Sequence, residues 1–182
     1  MIVPAALLSM ALALQEPKPV DGADGLKAHF AALQKSIRDG ETKAAAGMTK
    51  SLLCDEARLK KALKDDVDKE LLARIVEMHK GYAASPEEKL ALSFKVKPEQ
   101  TEIQVHGAKV EEIAKYEKDS VPFKEFPGGA RDLASTILRP GLAFYEVEFV
   151  EPGKDLGMKF HLFFWDGERW AMLGAAWRVA KK

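Results

Sequence analysis

Apolar residues recur at the helical period through the first half of the chain and alternate with a period of two towards its end. Leu26, Phe30, Leu33 and Ile37 form one stripe, which predicts a helix opened by Asp24 and closed by Gly40. Ala45, Met48 and Leu52 predict a second helix with Cys54 near its end. Asp55 then caps a third, which carries Leu59, Ala62 and Leu63. Asp65 or Asp66 opens a fourth with Val67, Leu71, Ile75, Met78 and Tyr82 on one face and Gly81 near its C-terminus. Ser85-Pro86-Glu87-Glu88 spells a capping box, with Ser85 at the N-cap, Pro86 at the first helical position and Glu88 reaching back to the cap amide. That helix gives way around Lys97-Pro98.

Beyond it, residues 101–106 alternate and predict a strand, with Ile103 and Val105 on one side. Val110, Ile113 and Ala114 suggest a helical turn or two. Pro122, Pro127 and Gly128-Gly129 punctuate the next stretch, before a short helix over 130–138. Three strands follow, over 142–151, 158–165 and 168–179, the last two joined by Asp166-Gly167. Asp-Gly between apolar runs favours a two-residue type I′ turn, because both central residues need positive φ. Helices first and a meander last define an α+β fold: N-terminal helices packed on a C-terminal antiparallel sheet of about four strands. Residues 24–182 read as one domain.

A two-residue turn sets the register by counting. Trp165 then faces Glu168, Phe163 faces Trp170 and His161 faces Met172. Met158, Phe160, Leu162 and Phe164 lie on the core side with Ala171, Leu173, Ala175 and Trp177. Setting Val147 opposite Leu162 puts Glu148 opposite His161 and Glu146 beside Phe163. The other side therefore carries Phe144, Glu146, Glu148, Lys159, His161, Phe163, Trp165, Trp170 and Met172. A solvated sheet face does not display Phe163, Trp165 and Trp170 together, so a helix, a second subunit in a homodimer, or a ligand should cover them. Glu146, Phe163, Trp165, Trp170 and Met172 are the candidate ligand or partner face. His161 beside Glu148 is the candidate catalytic pair, since a neighbouring carboxylate raises the pKa of an imidazole base. The same pair also reads as an ordinary cross-strand contact, and the three aromatics as core beneath a helix.

Composition narrows the rest. Lys+Arg 28 against Asp+Glu 28 leaves no net charge to steer nucleic acid or an anionic membrane. One cysteine excludes an internal disulfide and a cysteine-based zinc cluster, and Cys54 reads as a small buried hydrophobe. His29, His79 and His106 have no second histidine or cysteine at ligand spacing, so no metal and no cofactor is expected. Gly128-Gly129 lacks the spacing of a phosphate loop, and Ser135 is not in a nucleophile elbow. Residues 2–14 form an uncharged, mostly apolar run ending in Ala11-Leu12-Ala13, the small-x-small pattern of a signal peptidase site. Thirteen such residues fall short of the roughly 20 that a spanning helix needs. The expectation is a cleaved signal peptide over 1–14 and a flexible leader over 15–23, with Pro17, Pro19 and Gly22. The product would be a periplasmic or secreted protein without a stable membrane anchor.

Helices followed by a meander that ends Trp165-Asp166-Gly167-Glu168-Arg169-Trp170, then Leu173-Gly174 and Trp177-Arg178, resemble the closing hairpin of NTF2-like (cystatin-like cone) proteins, here of the exported bacterial kind. The resemblance covers the C-terminal strands and implies a cone-shaped sheet. It assigns no functional residue, and that fold hosts enzymes and binding modules alike. Two readings follow: a non-enzymatic module that binds a small molecule or a protein through the aromatic face, or a small hydrolase or isomerase using Glu148 and His161.

Overall fold

The computed structural model describes residues 21–180. The apolar run, its cleavage site and most of the leader lie outside them. In the first half the hydrophobic stripes become helices largely where the period places them. Helix α1 (Ala23–Arg38) buries Leu26, Phe30 and Leu33, although Gly22 rather than Asp24 takes its N-cap. Helix α2 (Thr42–Leu52) buries Ala45 and Leu52. Helix α3 (Glu56–Ala62) is capped by Asp55, whose carboxylate accepts from the Arg58 amide at 2.9 Å.

Helix α4 (Lys69–Ala83) starts later than expected, because Asp68 is its cap and accepts from the Leu71 amide at 2.9 Å. Asp65 is committed elsewhere, 2.5 Å from the Arg139 guanidinium, and the Lys64 amide is held by the Ile137 carbonyl at 2.9 Å. The capping box at Ser85 does not form. The Ser85 amide donates to Tyr82 O at 3.0 Å and so finishes α4, while helix α5 (Glu87–Ala91) begins at Pro86 without a side-chain cap.

Among the described residues, one antiparallel sheet has its strands in chain order: β1 (Glu102–Lys109), β2 (Ala143–Val150), β3 (Met158–Trp165) and β4 (Trp170–Met172). Between β1 and β2 lie α6 (Val110–Lys115), α7 (Val121–Glu125) and α8 (Gly128–Thr136), and α9 (Trp177–Ala180) follows β4. The fold is α+β, with the N-terminal helices packed on the sheet.

Three local features overturn the counted register. The β3–β4 turn holds four residues rather than two, so Trp165 faces Trp170 and Phe163 faces Met172. The Asp166 carboxylate explains the longer turn: its Oδ1 accepts from the Glu168 and Arg169 amides at 2.9 and 3.0 Å, and its Oδ2 from Arg58 Nε at 2.5 Å. Next, β3 bulges opposite Glu146: Tyr145 pairs with Phe163, but Val147 pairs with Phe160. Leu162 absorbs the extra residue in the left-handed region at φ 57°, a conformation that costs a β-strand leucine roughly 1–2 kcal/mol. Finally, the last strand stops at Met172. Gly174, at φ 64°, turns the chain out of the sheet, and Trp177 is helical. Trp177 lies against Gly129, where a Cβ would come within 2.3 Å of the indole, so only glycine permits this packing.

The bulge exchanges faces halfway along β3. Phe160, Phe163 and Trp170 share one core with Val147, Phe149 and Ile103, covered by α1, α2 and α5. Leu162, Phe164, Phe144, Ala171 and Leu173 share the other, covered by α3, α4, α6 and α8. Phe30 of α1 is the hub of the first core, its ring 5.2 Å from Phe94, 5.9 Å from Phe149 and 5.0 Å from Phe163, all edge-on.

Candidate functional site

The bulge also builds the most polar part of the sheet. A side chain at position 146 now sits opposite both His161 and Leu162. Glu146 is fully buried; one oxygen lies 2.5 Å from His161 Nδ1 and the other accepts from the Leu162 amide at 3.2 Å. Burial pushes the Glu146 carboxyl above the ordinary glutamate range, against the pull of His161, the Leu162 amide and Lys159. The carboxylate beside His161 is therefore Glu146, not Glu148. Trp177 flanks the imidazole edge-on at 5.5 Å.

Glu148 pairs with Lys159 across the strands. It is nearly buried, accepts from the Gly157 amide at 2.7 Å, and lies 3.3 Å from Lys159 Nζ. That ammonium also donates to Glu125 at 2.7 Å. Burial opposes the charge on Lys159, but Glu125 and Glu148 hold its pKa above the ordinary lysine value. His106 Nε2 stands 3.6 Å from the same Glu125 oxygen. His106, Glu125 and Glu148 thus bring one ligand atom each within 4.8 Å of one another, a donor set that sequence spacing did not disclose. Lys159 already supplies the cation those carboxylates require.

The candidate ligand face is divided. Phe163, Trp165, Trp170 and Met172 lie in the aromatic core under α1, α2 and α5, where helices cover them. Glu146 lies on the opposite side of the sheet with His161. Trp170 is buried, 5.3 Å from the Tyr145 ring and 5.5 Å from Trp165. Of that predicted face, Met172 lines a cavity that His161 also lines.

That cavity is a cleft of about 200 Å³ where β4 ends and leaves the first residues of β3 uncovered. Lys159, Phe160 and His161 line it from β3, and Met172 to Ala175 from the departing chain. Thr49 comes from α2 and Leu53 from just beyond its end, and Met78, His79 and Tyr82 come from α4. Leu90, Ser93 and Phe94 complete the lining. Most of these side chains are apolar. Two are polar, buried and unpartnered: Thr49 Oγ1 and His79 Nε2 have no hydrogen-bond partner among the described residues, and the two side chains belong to residues 3% and 2% exposed. Burial, with the Arg58 guanidinium nearby, pushes the His79 pKa down to about 4. Its Nδ1 accepts from the Cys54 amide at 3.2 Å. Cys54 itself is the small buried residue expected, its thiol pushed up to about 12 by burial and so unreactive at neutral pH.

His79 and Thr49 are the residues that sequence reasoning missed. The available signal was position: His79 follows Ile75 by four residues and so falls on the buried face of α4, where a polar side chain calls for a partner.

No family model matches the chain, and no curated protein or solved structure is found to be similar to it. Fold and cleft together describe an α+β protein with an apolar, histidine-bearing recess at the end of its sheet. No helix of the described residues is long and apolar enough to cross a membrane.

Proposed function

We propose that the chain is an exported, non-enzymatic binding module that holds a small, largely apolar molecule in this cleft. One observation carries the reading: an apolar recess of about 200 Å³ opens at the end of the sheet, lined by Phe94, Phe160, Met172 and Leu173. Concave, mostly apolar recesses with a few polar groups at their edge are where proteins hold small molecules, and Lys159 and His161 supply such groups here. Export rests on the apolar run and small-x-small site before residue 15. The proposed kinship with NTF2-like proteins rests on the C-terminal strands and is not needed for the binding reading.

Melting of the full domain in the presence of small aromatic hydrocarbons such as ethylbenzene tests the proposal. A ligand of the native state raises the melting temperature by mass action. Ala175→Leu, which fills the cleft, should remove the rise. A melting temperature indifferent to every such compound would end the proposal.

The second reading, a small hydrolase or isomerase, draws on the contact between Glu146 and His161, because a buried carboxylate behind an imidazole is how proteins orient a general base. No activated nucleophile accompanies it among the described residues that line the cleft. The Ser93 hydroxyl donates to Lys89 O at 3.0 Å, and Cys54, behind the lining, stays protonated at neutral pH. Binding without turnover is therefore the reading preferred.

A further inference from the structure

Resting on the binding reading above, we infer that the cleft receives one residue of an extended peptide. Its apolar side chain fills the recess while its backbone N–H and C=O pair with those of Lys159.

The direction of the Lys159 backbone follows from the ladder. The Val110 amide donates to Leu142 O at 2.9 Å and extends the β1–β2 register by one pair. Alternate residues of an antiparallel strand turn both backbone groups to the same neighbour. Phe144, Glu146 and Glu148 therefore spend theirs on β1, and Tyr145, Val147 and Phe149 face β3. Val147 and Phe149 pair with Phe160 and Met158, so these two residues of β3 point their backbone groups at β2. Lys159, between them, points its N–H and C=O the other way. The strand that should meet them stops short: β4 pairs from Phe163 onward, and its last bond runs from the Leu173 amide to Leu162 O at 2.8 Å. Among the described residues neither Lys159 backbone group has a partner.

The cleft lies on this open side. Lys159, Phe160 and His161 all line it, although Phe160 belongs to the aromatic core and His161 contacts Glu146 on the opposite face. Consecutive residues with side chains on opposite faces meet one cavity at the edge of their strand. Edge strands are commonly shielded by lysine side chains, but here the ammonium is drawn away to Glu125 and Glu148, at 2.7 and 3.3 Å.

One N–H and one C=O on the same residue are matched by the N–H and C=O of one residue in another extended chain, running antiparallel. A ketone or an alcohol supplies only half of that pair. Leu53, Met78, Leu90, Phe94 and Leu173 around the recess call for an aliphatic or aromatic side chain. Size agrees, since apolar cavities of about 150 Å³ accommodate benzene and this one is about 200 Å³.

Calorimetric titration of the full chain with three probes separates the claims: N-acetylphenylalanine methylamide, the same compound methylated on the phenylalanine nitrogen, and ethylbenzene. The first should bind about tenfold more tightly than ethylbenzene, the effect of roughly two neutral hydrogen bonds, and N-methylation should abolish that gain. The Lys159 amide should exchange freely with solvent in the unliganded chain and slow at least about tenfold at saturation, while the ladder-bonded Phe160 amide serves as reference. Equal binding of the capped residue and ethylbenzene, or a Lys159 amide unaffected at saturation, would overturn the peptide assignment and leave the apolar cleft standing. A concentration-dependent dimer in sedimentation that already protects this amide would give the edge to a second copy and overturn it as well. Binding of none of the three probes would remove the binding reading and this inference with it.

Discussion

The two faces of the sheet are built from the same strands and solve opposite problems. Under α1, α2 and α5 the face is dry and aromatic: Phe30, Phe94, Phe149, Phe160 and Phe163 meet edge to face, and Trp170 closes the end. On the other face Glu146, Glu148, Lys159 and His161 are packed beside Trp177 and Glu125. Burial of rings stabilises the first without directional demands. In the second, each buried charge requires a specific partner, and a one-residue bulge at Leu162 provides it by turning His161 and an amide onto one carboxylate. The same bulge also brings Phe160 and Phe163, three residues apart, onto the aromatic face, so one distortion of the backbone serves both sides.

Truncations on the two faces should differ in size. Trp170→Ala on the aromatic side should lower stability by about 3–5 kcal/mol in chemical denaturation, the usual cost of emptying a buried aromatic site. A loss below 1 kcal/mol would mean that this ring is not part of the core. Next in size is a pH effect on the polar residue shared with the cleft. The His79 pKa is depressed from 6.5 to about 4, so the unfolded chain binds the proton more readily than the folded one. Stability should be fully present above pH 6.5 and decline as pH falls from there towards 4, by about 3 kcal/mol. His79→Phe should flatten that part of the curve, and an unchanged slope in the variant would place the titration elsewhere.

Glu146→Ala should cost about 1–3 kcal/mol, since it leaves the Leu162 amide unpaired and strips His161 of its partner at a strained backbone position. Its imidazole signals should shift together with the Leu162 amide; a shift in neither would separate the pair from the bulge. His161→Ala should be the mildest, below about 1 kcal/mol for a partly exposed cross-strand contact. It should still weaken ligand binding, because His161 lines the cleft.

Legibility in the sequence followed the same division. The stripe Leu26–Phe30–Leu33 and the limits of β3 were readable, because burial of one face imposes a period on the residues. Cys54 was readable as buried from its residue type, since a free cysteine behaves as a small hydrophobe. Register was not. Asp166-Gly167 has the composition of a two-residue turn, but Asp166 spends its carboxylate on two amides and Arg58, and a partner more than a hundred residues away in sequence cannot be seen from the turn. The bulge was hidden because Leu162 is an ordinary apolar residue with no sign of its φ. Consequently the pairing of His161 with Glu148 and the placing of Glu146 and His161 on the aromatic face both failed at one residue, while Phe163, Trp165 and Trp170 do share one face. Ser85 shows the same limit at smaller scale, since a capping sequence can equally end the helix before it.

The central claim is that the opening at the end of β4, not the part of the aromatic core under α1, receives a small molecule. Methyl-detected NMR during a titration with ethylbenzene addresses it most directly. The account predicts shifts confined to Leu53, Met78, Leu90, Met172 and Leu173, with Leu26 and Leu33 of α1 unmoved. Shifts centred on Leu26 and Leu33, or none at saturating ligand, would contradict it.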